Sequence, residues 1–302
     1  MNPIPIICGP TASGKTALAM RLAETHPVEI ISADSRQILK YFDIGTAKPT
    51  LKERARVPFH LIDMIEPGER YSAFRFIGDA TRVIDQIISR GHLPVIVGGT
   101  GLYLRALTDG VVEIEEPDMA IREQLEADLK TSGSEAMHAR LSEIDPLEAV
   151  KIHPNNWVRI IRALEIYLLT GKTKSELTAT GSYRRGDHSY EYFCLAPPRD
   201  RLYETINIRV DQMIQDGLLE EISGLIERGY AEKIRFANII GYKELMELLD
   251  GRVTIDEAVS EIKQNTRRFA KRQMTWFRRQ QGCKFCDHPD PLLSILRDSI
   301  GG

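Results

Sequence analysis

Short apolar runs alternate with amphipathic stretches over the first third of the chain. Ile4, Ile6, Ile7 and Cys8 predict a buried strand, and residues 16–23 (TALAMRLA) predict a helix. A second strand is expected at 28–32 (VEIIS) and a third at 60–65 (HLIDMI). Residues 72–90 carry helical spacing, with Phe76, Ala80, Val83, Ile84, Ile87 and Ile88 on one broad face, and Gly91 ends that helix. The run 94–99 (PVIVGG) reads as a strand closing on glycines. From about Glu113 to Gly181 no strand pattern is visible, and MAIREQLEADL, SEAMHARLSEI and NNWVRIIRALEIYLLTG read as helices. YEYFCL at 190–195 returns to a strand, and after Pro198 the chain is helical again, with a last long helix from Thr254 to about Gln281. The remaining tail reads as irregular and partly mobile. The alternation predicts an α/β fold, a parallel sheet flanked by helices. A helical insertion domain is expected at 113–185, set into a core of 1–112 and 186–302 with helical C-terminal parts.

Between the first strand and the first helix lies GPTASGKT: Gly9, Pro10, Thr11, Ala12, Ser13, Gly14, Lys15 and Thr16. This is a complete phosphate loop. Its glycines let backbone N–H groups turn toward an anion, and the helix N-terminus adds partial positive charge. Lys15 brings a full charge, and the Thr16 hydroxyl suits Mg²⁺. A nucleoside triphosphate is the default ligand. Asp34, in ISADSRQ, falls just past the second strand, at the sheet edge where ligands bind. It can serve as a Mg²⁺ ligand, a general base or a helix cap. DIGTAKP at 43–49 reads as a surface turn. VGGTGLY at 97–103 offers close backbone approach where an ordinary ATPase would often place an aspartate, which weighs against plain ATP hydrolysis.

The chain has 302 residues, 42% of them hydrophobic, enough for a sizeable core and about two domains. Its formal net charge of -3 excludes a generally basic nucleic-acid binder, so any such site is a local patch. One patch stands out. KQNTRRFAKRQMTWFRRQQGCK, from Lys263, contains no acidic residue. Arg267, Lys271 and Arg278 line one helical strip beside Arg268, Arg272 and Arg279, while Ile262, Phe269 and Trp276 are expected to pack on the body. Such a strip suits a phosphate backbone, although a solvated face is the alternative. Arg159 and Arg162 form a smaller pair that Glu148 or Glu165 can satisfy. Four cysteines are too few for a disulfide scaffold and fit a reducing cytosol. Cys283, Cys286 and His288 hint at zinc but lack the rest of a ligand set, so no zinc is expected. No signal peptide and no membrane span is read.

The motifs GPTASGKT, SADSRQ, DIGTAKP, HLID, VGGTGLY, HPNNWVRIIRALE, IGYKE and TRRFAKRQMTWFR, in this order, resemble the tRNA dimethylallyltransferases, also called tRNA isopentenyltransferases. The resemblance runs from about Ile4 to Gln280. It implies a phosphate-loop nucleoside-triphosphatase-like fold. It also implies transfer of a dimethylallyl group from dimethylallyl diphosphate to the exocyclic amine of the adenosine on the 3′ side of the anticodon, with Mg²⁺ as cofactor. The loop would then hold the donor diphosphate. Lys15 and Arg209 would neutralise the leaving group, Asp34 would take the amine proton, and Thr100 would sit beside the adenine. Asp34, Ser35, Arg36, Gln37, Thr100, Arg122, Val158, Arg159, Ile160, Ile161 and Arg162 match segments that contact tRNA. So do Lys271, Arg272, Gln273, Met274, Thr275, Trp276, Phe277 and Arg278. The protein is expected to be a cytoplasmic monomer. Leu39 and Phe59 stand where the family more often has tyrosine and histidine. The alternatives are an adenylate isopentenyltransferase, a phosphate-loop kinase or NTPase, and a non-catalytic RNA-binding ATPase.

Overall fold

The computed structural model describes residues 2–112, 118–180 and 183–301. The first apolar run is strand β1 (Ile4–Cys8), buried along its whole length. The phosphate loop leads into α1 (Lys15–Leu22), and β2 (Val28–Ser32) follows, again fully buried. Next come α2 (Leu51–Arg56), β3 (Phe59–His60), α3 (Ala73–Ser89), β4 (Leu93–Gly98) and α4 (Gly101–Asp109). The expected third strand shrinks to two residues. Leu61 and Asp63 take left-handed φ values of 59° and 55°, which an extended strand does not accommodate.

The chain divides into two compact units, 1–109 with 186–302, and 110–185. In the second unit, β5 (Val111–Val112) is followed by α5 (Met119–Ile144), which is broken at Gly133, then by α6 (Pro146–Ala149), α7 (Trp157–Thr170) and α8 (Lys174–Ala179). Strand β6 (Tyr183–Arg184) pairs antiparallel with β5. This two-stranded ribbon lies at the junctions, Val111–Val112 just before the helical insertion expected at 113–185 and Tyr183–Arg184 at its end. Residues 113–117 and 181–182, which that expectation also covered, lie outside the described residues.

The first unit resumes with β7 (Tyr190–Leu195), then α9 (Arg199–Gln215), α10 (Leu218–Glu227), α11 (Ala231–Ala237), α12 (Tyr242–Leu249) and α13 (Ile255–Phe277). The chain closes with β8 (Lys284–Cys286) and α14 (Pro289–Gly301). These last two elements correct the expectation of an irregular tail. Strand β8 extends the sheet, and Leu292, Leu293 and Leu296 of α14 pack with Leu18 and Leu22 of α1 on the face that carries Ile7, Phe193 and Leu195. The six-stranded sheet is wholly parallel, in the order β3-β2-β4-β1-β7-β8. Chain order leaves β1 toward β2, returns at β4 and crosses to β7. The ends of β1 and β4 therefore frame the switch point where open parallel sheets bind ligands.

Candidate active site

The phosphate loop begins directly after Cys8. Gly9, Ala12 and Gly14 have φ values of 142°, 62° and 94°, so the chain takes positive φ three times as it wraps back onto α1. Glycine makes the first and last of these inexpensive. The Lys15 ammonium donates to the Pro10 carbonyl at 2.6 Å. Burial pushes its pKa down to about 8, while Asp34 pulls it up and Arg209 pushes it further down. The Ser13 hydroxyl is buried and has no hydrogen-bond partner among the described residues. An orphaned buried hydroxyl in the same phosphate loop as the Lys15 ammonium fits an anion or its metal.

Two further strand ends converge here. Asp34 follows β2, and its Oδ1 accepts from the Arg36 N–H at 2.8 Å and the Gln37 N–H at 3.4 Å. It thus caps a turn rather than a regular helix, which resolves one of the three roles left open. Thr100, after β4, accepts from the Ser35 N–H at 2.9 Å, and its own N–H donates to the Ala33 carbonyl at 3.2 Å. From α9, Arg209 reaches over the loop and donates to the Thr11 hydroxyl at 3.4 Å. Lys15, Thr16, Asp34, Thr100 and Arg209 all line one cleft of about 860 Å³. Val210, Met213, Ile239, Ile240 and Ile262 give the same cleft an apolar flank. Cations and hydroxyls on one side with hydrocarbon on the other suit a ligand that has a phosphate head and an apolar tail.

The 43–49 loop is not the surface turn its composition suggested. Lys48 is 7% exposed and donates to the Leu39 carbonyl (2.5 Å), Asp43 (2.7 Å) and Asp63 (2.5 Å). Gln37 donates to the Ala47 carbonyl at 3.0 Å, and Glu221 accepts from the N–H groups of Asp43 and Ile44 at 3.0 and 2.8 Å. The loop is therefore a fixed wall of the cleft. Its signal was unreadable locally because Asp63 and Glu221 come from distant segments.

Helix α13 crosses the same cleft. Gln273, 8% exposed, accepts from the Thr11 N–H at 2.8 Å and donates to the Gly99 carbonyl at 3.0 Å. A Cβ on Gly99 would lie 2.3 Å from that amide, so glycine is what lets the helix approach. Nothing in the periodicity singles out Gln273 from its neighbours. Arg267 turns inward to Asn207 at 2.6 Å, and Lys263 pairs with Asp211 at 2.6 Å, so these two cations hold α13 to α9 rather than join an outer strip. Phe269, expected against the body, is 37% exposed and lines the cleft, with the Arg272 guanidinium over its ring.

A family model described as IPP transferase matches residues 37–280, and one described as isopentenyl transferase matches 2–57. The chain belongs to the IPP transferase family. It is 45% identical over 292 residues to a tRNA dimethylallyltransferase of Geobacter sulfurreducens, covering 96% of this chain and 93% of that one. Its structure is similar to that of the full-length tRNA isopentenylpyrophosphate transferase of Bacillus halodurans, with TM-score 0.70 and 40% identity over 100% of this chain and 96% of that one. It is also similar to a eukaryotic dimethylallyltransferase acting on tRNA, with TM-score 0.76 and 30% identity over 92% and 70% of the two chains. The parallel sheet is the phosphate-loop NTPase-like fold of these structures.

In this IPP transferase the residues assigned to tRNA by resemblance divide by exposure. Arg36, Val158, Arg159, Lys271, Arg272, Thr275 and Arg278 present exposed side chains. Ile160 and Ile161 do not. Both are buried in the core of the second unit with Leu125 and Leu141, because their positions face inward on α7. Phe277 is likewise buried, and Gln273 is committed to the phosphate loop, so neither offers a side chain to RNA. Gln37 is bonded into the 43–49 loop. Trp276 packs edge-on to Phe277, over Gly101. Arg122 pairs with Glu126 at 3.0 Å along its own helix. Among the described residues no helix is long and apolar enough to cross a membrane.

Proposed function

We propose that the chain transfers a dimethylallyl group from dimethylallyl diphosphate to the exocyclic amine of the adenosine 3′-adjacent to the anticodon in tRNA, releasing diphosphate. The observation that carries this reading is the single cleft, with phosphate loop, aspartate, apolar flank and an arginine-bearing rim. The donor diphosphate lies on Lys15, Ser13 and the loop N–H groups under Arg209, and the prenyl tail lies along Val210 and Met213. The amine nitrogen forms a bond to the terminal carbon of the prenyl chain as the carbon–oxygen bond to diphosphate breaks. The electron pair goes to the diphosphate oxygen, where Lys15 and Arg209 stabilise it. Asp34 accepts the amine proton, held toward the cleft by its turn and by Thr100 beneath Ser35. The oxygen donors Thr16, Ser13 and Asp34 fit Mg²⁺, which when bound supplies further neutralisation of the leaving group. The adenine leaves its loop stack to reach the cleft, as bases do in other base-modifying enzymes.

The test is transfer of label from radiolabelled dimethylallyl diphosphate to unmodified tRNA. Label appearing only in free adenylate would overturn the acceptor, and ATP hydrolysis without prenylation would overturn the reaction class. Asp34→Asn preserves the acceptor for the Arg36 N–H but removes the base. Its turnover should fall about 10²- to 10⁴-fold with tRNA affinity nearly unchanged. Near-normal turnover would reduce Asp34 to its turn. Lys15 carries a depressed pKa and binds the diphosphate as a cation. Donor kcat/KM should therefore decline as pH rises through about 8, and Lys15→Arg should abolish that limb while retaining charge.

A further inference from the structure

Three of the four cysteines meet at the root of the phosphate loop. Cys8 ends β1 and is in register with Cys194 on β7, and both are completely buried. Cys283, half-buried, enters from the turn before β8. The three sulfur atoms all lie within 4.8 Å of one another, and all are free thiols. The neighbouring Cys-x-x-Cys spacing is misleading here. Strand β8 pairs Lys284 with Phe193 and Cys286 with Leu195, so Cys286 sits against the α1–α14 face with Leu195. Side chains alternate along a strand, and Cys283, three positions earlier, falls on the opposite face with Cys8 and Cys194.

We propose that Cys8, Cys194 and Cys283 form a three-thiolate site for a soft divalent d¹⁰ cation, Zn²⁺ being the physiological member of that class. Thiolate sulfur selects such ions over Mg²⁺, which the oxygen-rich cleft above would take. With three protein ligands the fourth tetrahedral position is left to a small exogenous ligand such as water. Binding releases one proton from each thiol, converting three thiols and M²⁺ into a monoanionic M(SR)₃ centre and three protons. Zn–S bonds of about 2.3 Å ask the sulfurs to close inward slightly. The Cys283 segment, which follows Gly282 in a left-handed turn, is the part that can move.

The experiment uses the full chain, fully reduced and free of metal, with Cd²⁺ as the spectroscopic probe and Zn²⁺ as the competitor. One equivalent of Cd²⁺ should produce thiolate-to-metal ultraviolet absorption that Zn²⁺ displaces. Cys283→Ser should abolish it, whereas Cys286→Ser and His288→Ala should retain it. Should the Cys283 variant fold poorly, the wild-type protein supplies an independent reading: Zn²⁺ should slow alkylation of Cys283 about tenfold while leaving Cys286 unchanged. Absence of the absorption, its loss in Cys286→Ser, or equal alkylation with and without Zn²⁺ would each overturn the site.

Discussion

Helices α7 and α13 both carry arginines that a reading of charge alone assigns to RNA, yet the fold uses the two sets differently. On α7, Arg162 donates to Glu165 at 2.7 Å, and Arg159 approaches Glu148 at 3.5 Å. Glu165 is 0% exposed, and its other oxygen has no partner among the described residues. Arg162 is thus the neutralising cation of a buried carboxylate. On α13 and just past its end, none of Arg268, Lys271, Arg272, Arg278 and Arg279 has a carboxylate partner among the described residues, and all five are exposed. A cation with no carboxylate partner in the fold is available to an anionic ligand. A cation that satisfies a buried acid is part of the scaffold, and removing it exposes the cost of that acid.

The difference can be pressed experimentally. The largest binding effect is expected from replacing Arg268, Arg272 and Arg279 together by glutamine. If each neutralises one phosphate, tRNA affinity near physiological salt should drop on the order of 50-fold, and the log–log salt slope should flatten by about 2. Titrations at several salt concentrations check both numbers, and parallel lines of equal height would take α13 out of the RNA site.

Arg162→Ala should behave in the opposite way. Denaturant unfolding should report a loss of about 3 kcal/mol, because Glu165 is left charged and enclosed. Rescue by the second substitution Glu165→Leu would locate the damage in the carboxylate rather than in RNA contact. The smallest effect is expected from Arg159→Gln. Glu148 retains Lys174 and Lys151, so stability should change by only a few tenths of a kcal/mol. A large loss of tRNA affinity in this variant would erase the contrast and give α7 a direct role.

Most of the sheet was legible because β1 and β4 are continuous apolar runs and β2 and β7 are mostly apolar, interrupted by Glu29 and Glu191, as strands buried on both faces tend to be. The phosphate loop, Asp34 and Thr100 were legible as a site because parallel topology sends consecutive strand ends to one edge, whereas Arg209, on α9, was legible only through the family resemblance. The failures share a different cause. Strand β8 has only three residues and depends on β7 for its existence, so no local pattern announces it. Lys48 reads as a solvated loop residue until Asp63 is known to lie beside it. Gln273 and Phe277 stand in a stretch whose charge drew attention to the outer face, while contact with Thr11, Gly99 and the core determined their roles. Side-chain pairing across long sequence separation is the information that periodicity lacks.

Lys48 also gives the molecule a built-in chemical reporter. An ammonium has three protons to donate, and here the three acceptors are the Leu39 carbonyl, Asp43 and Asp63. A reagent that acylates free amines therefore finds no open approach to Lys48 in the native protein, while Lys40, with a side chain 38% exposed, remains within reach. Labelling at position 48 requires the cleft wall to come apart. Its rate relative to Lys40, read by mass spectrometry of peptides, counts openings of that wall.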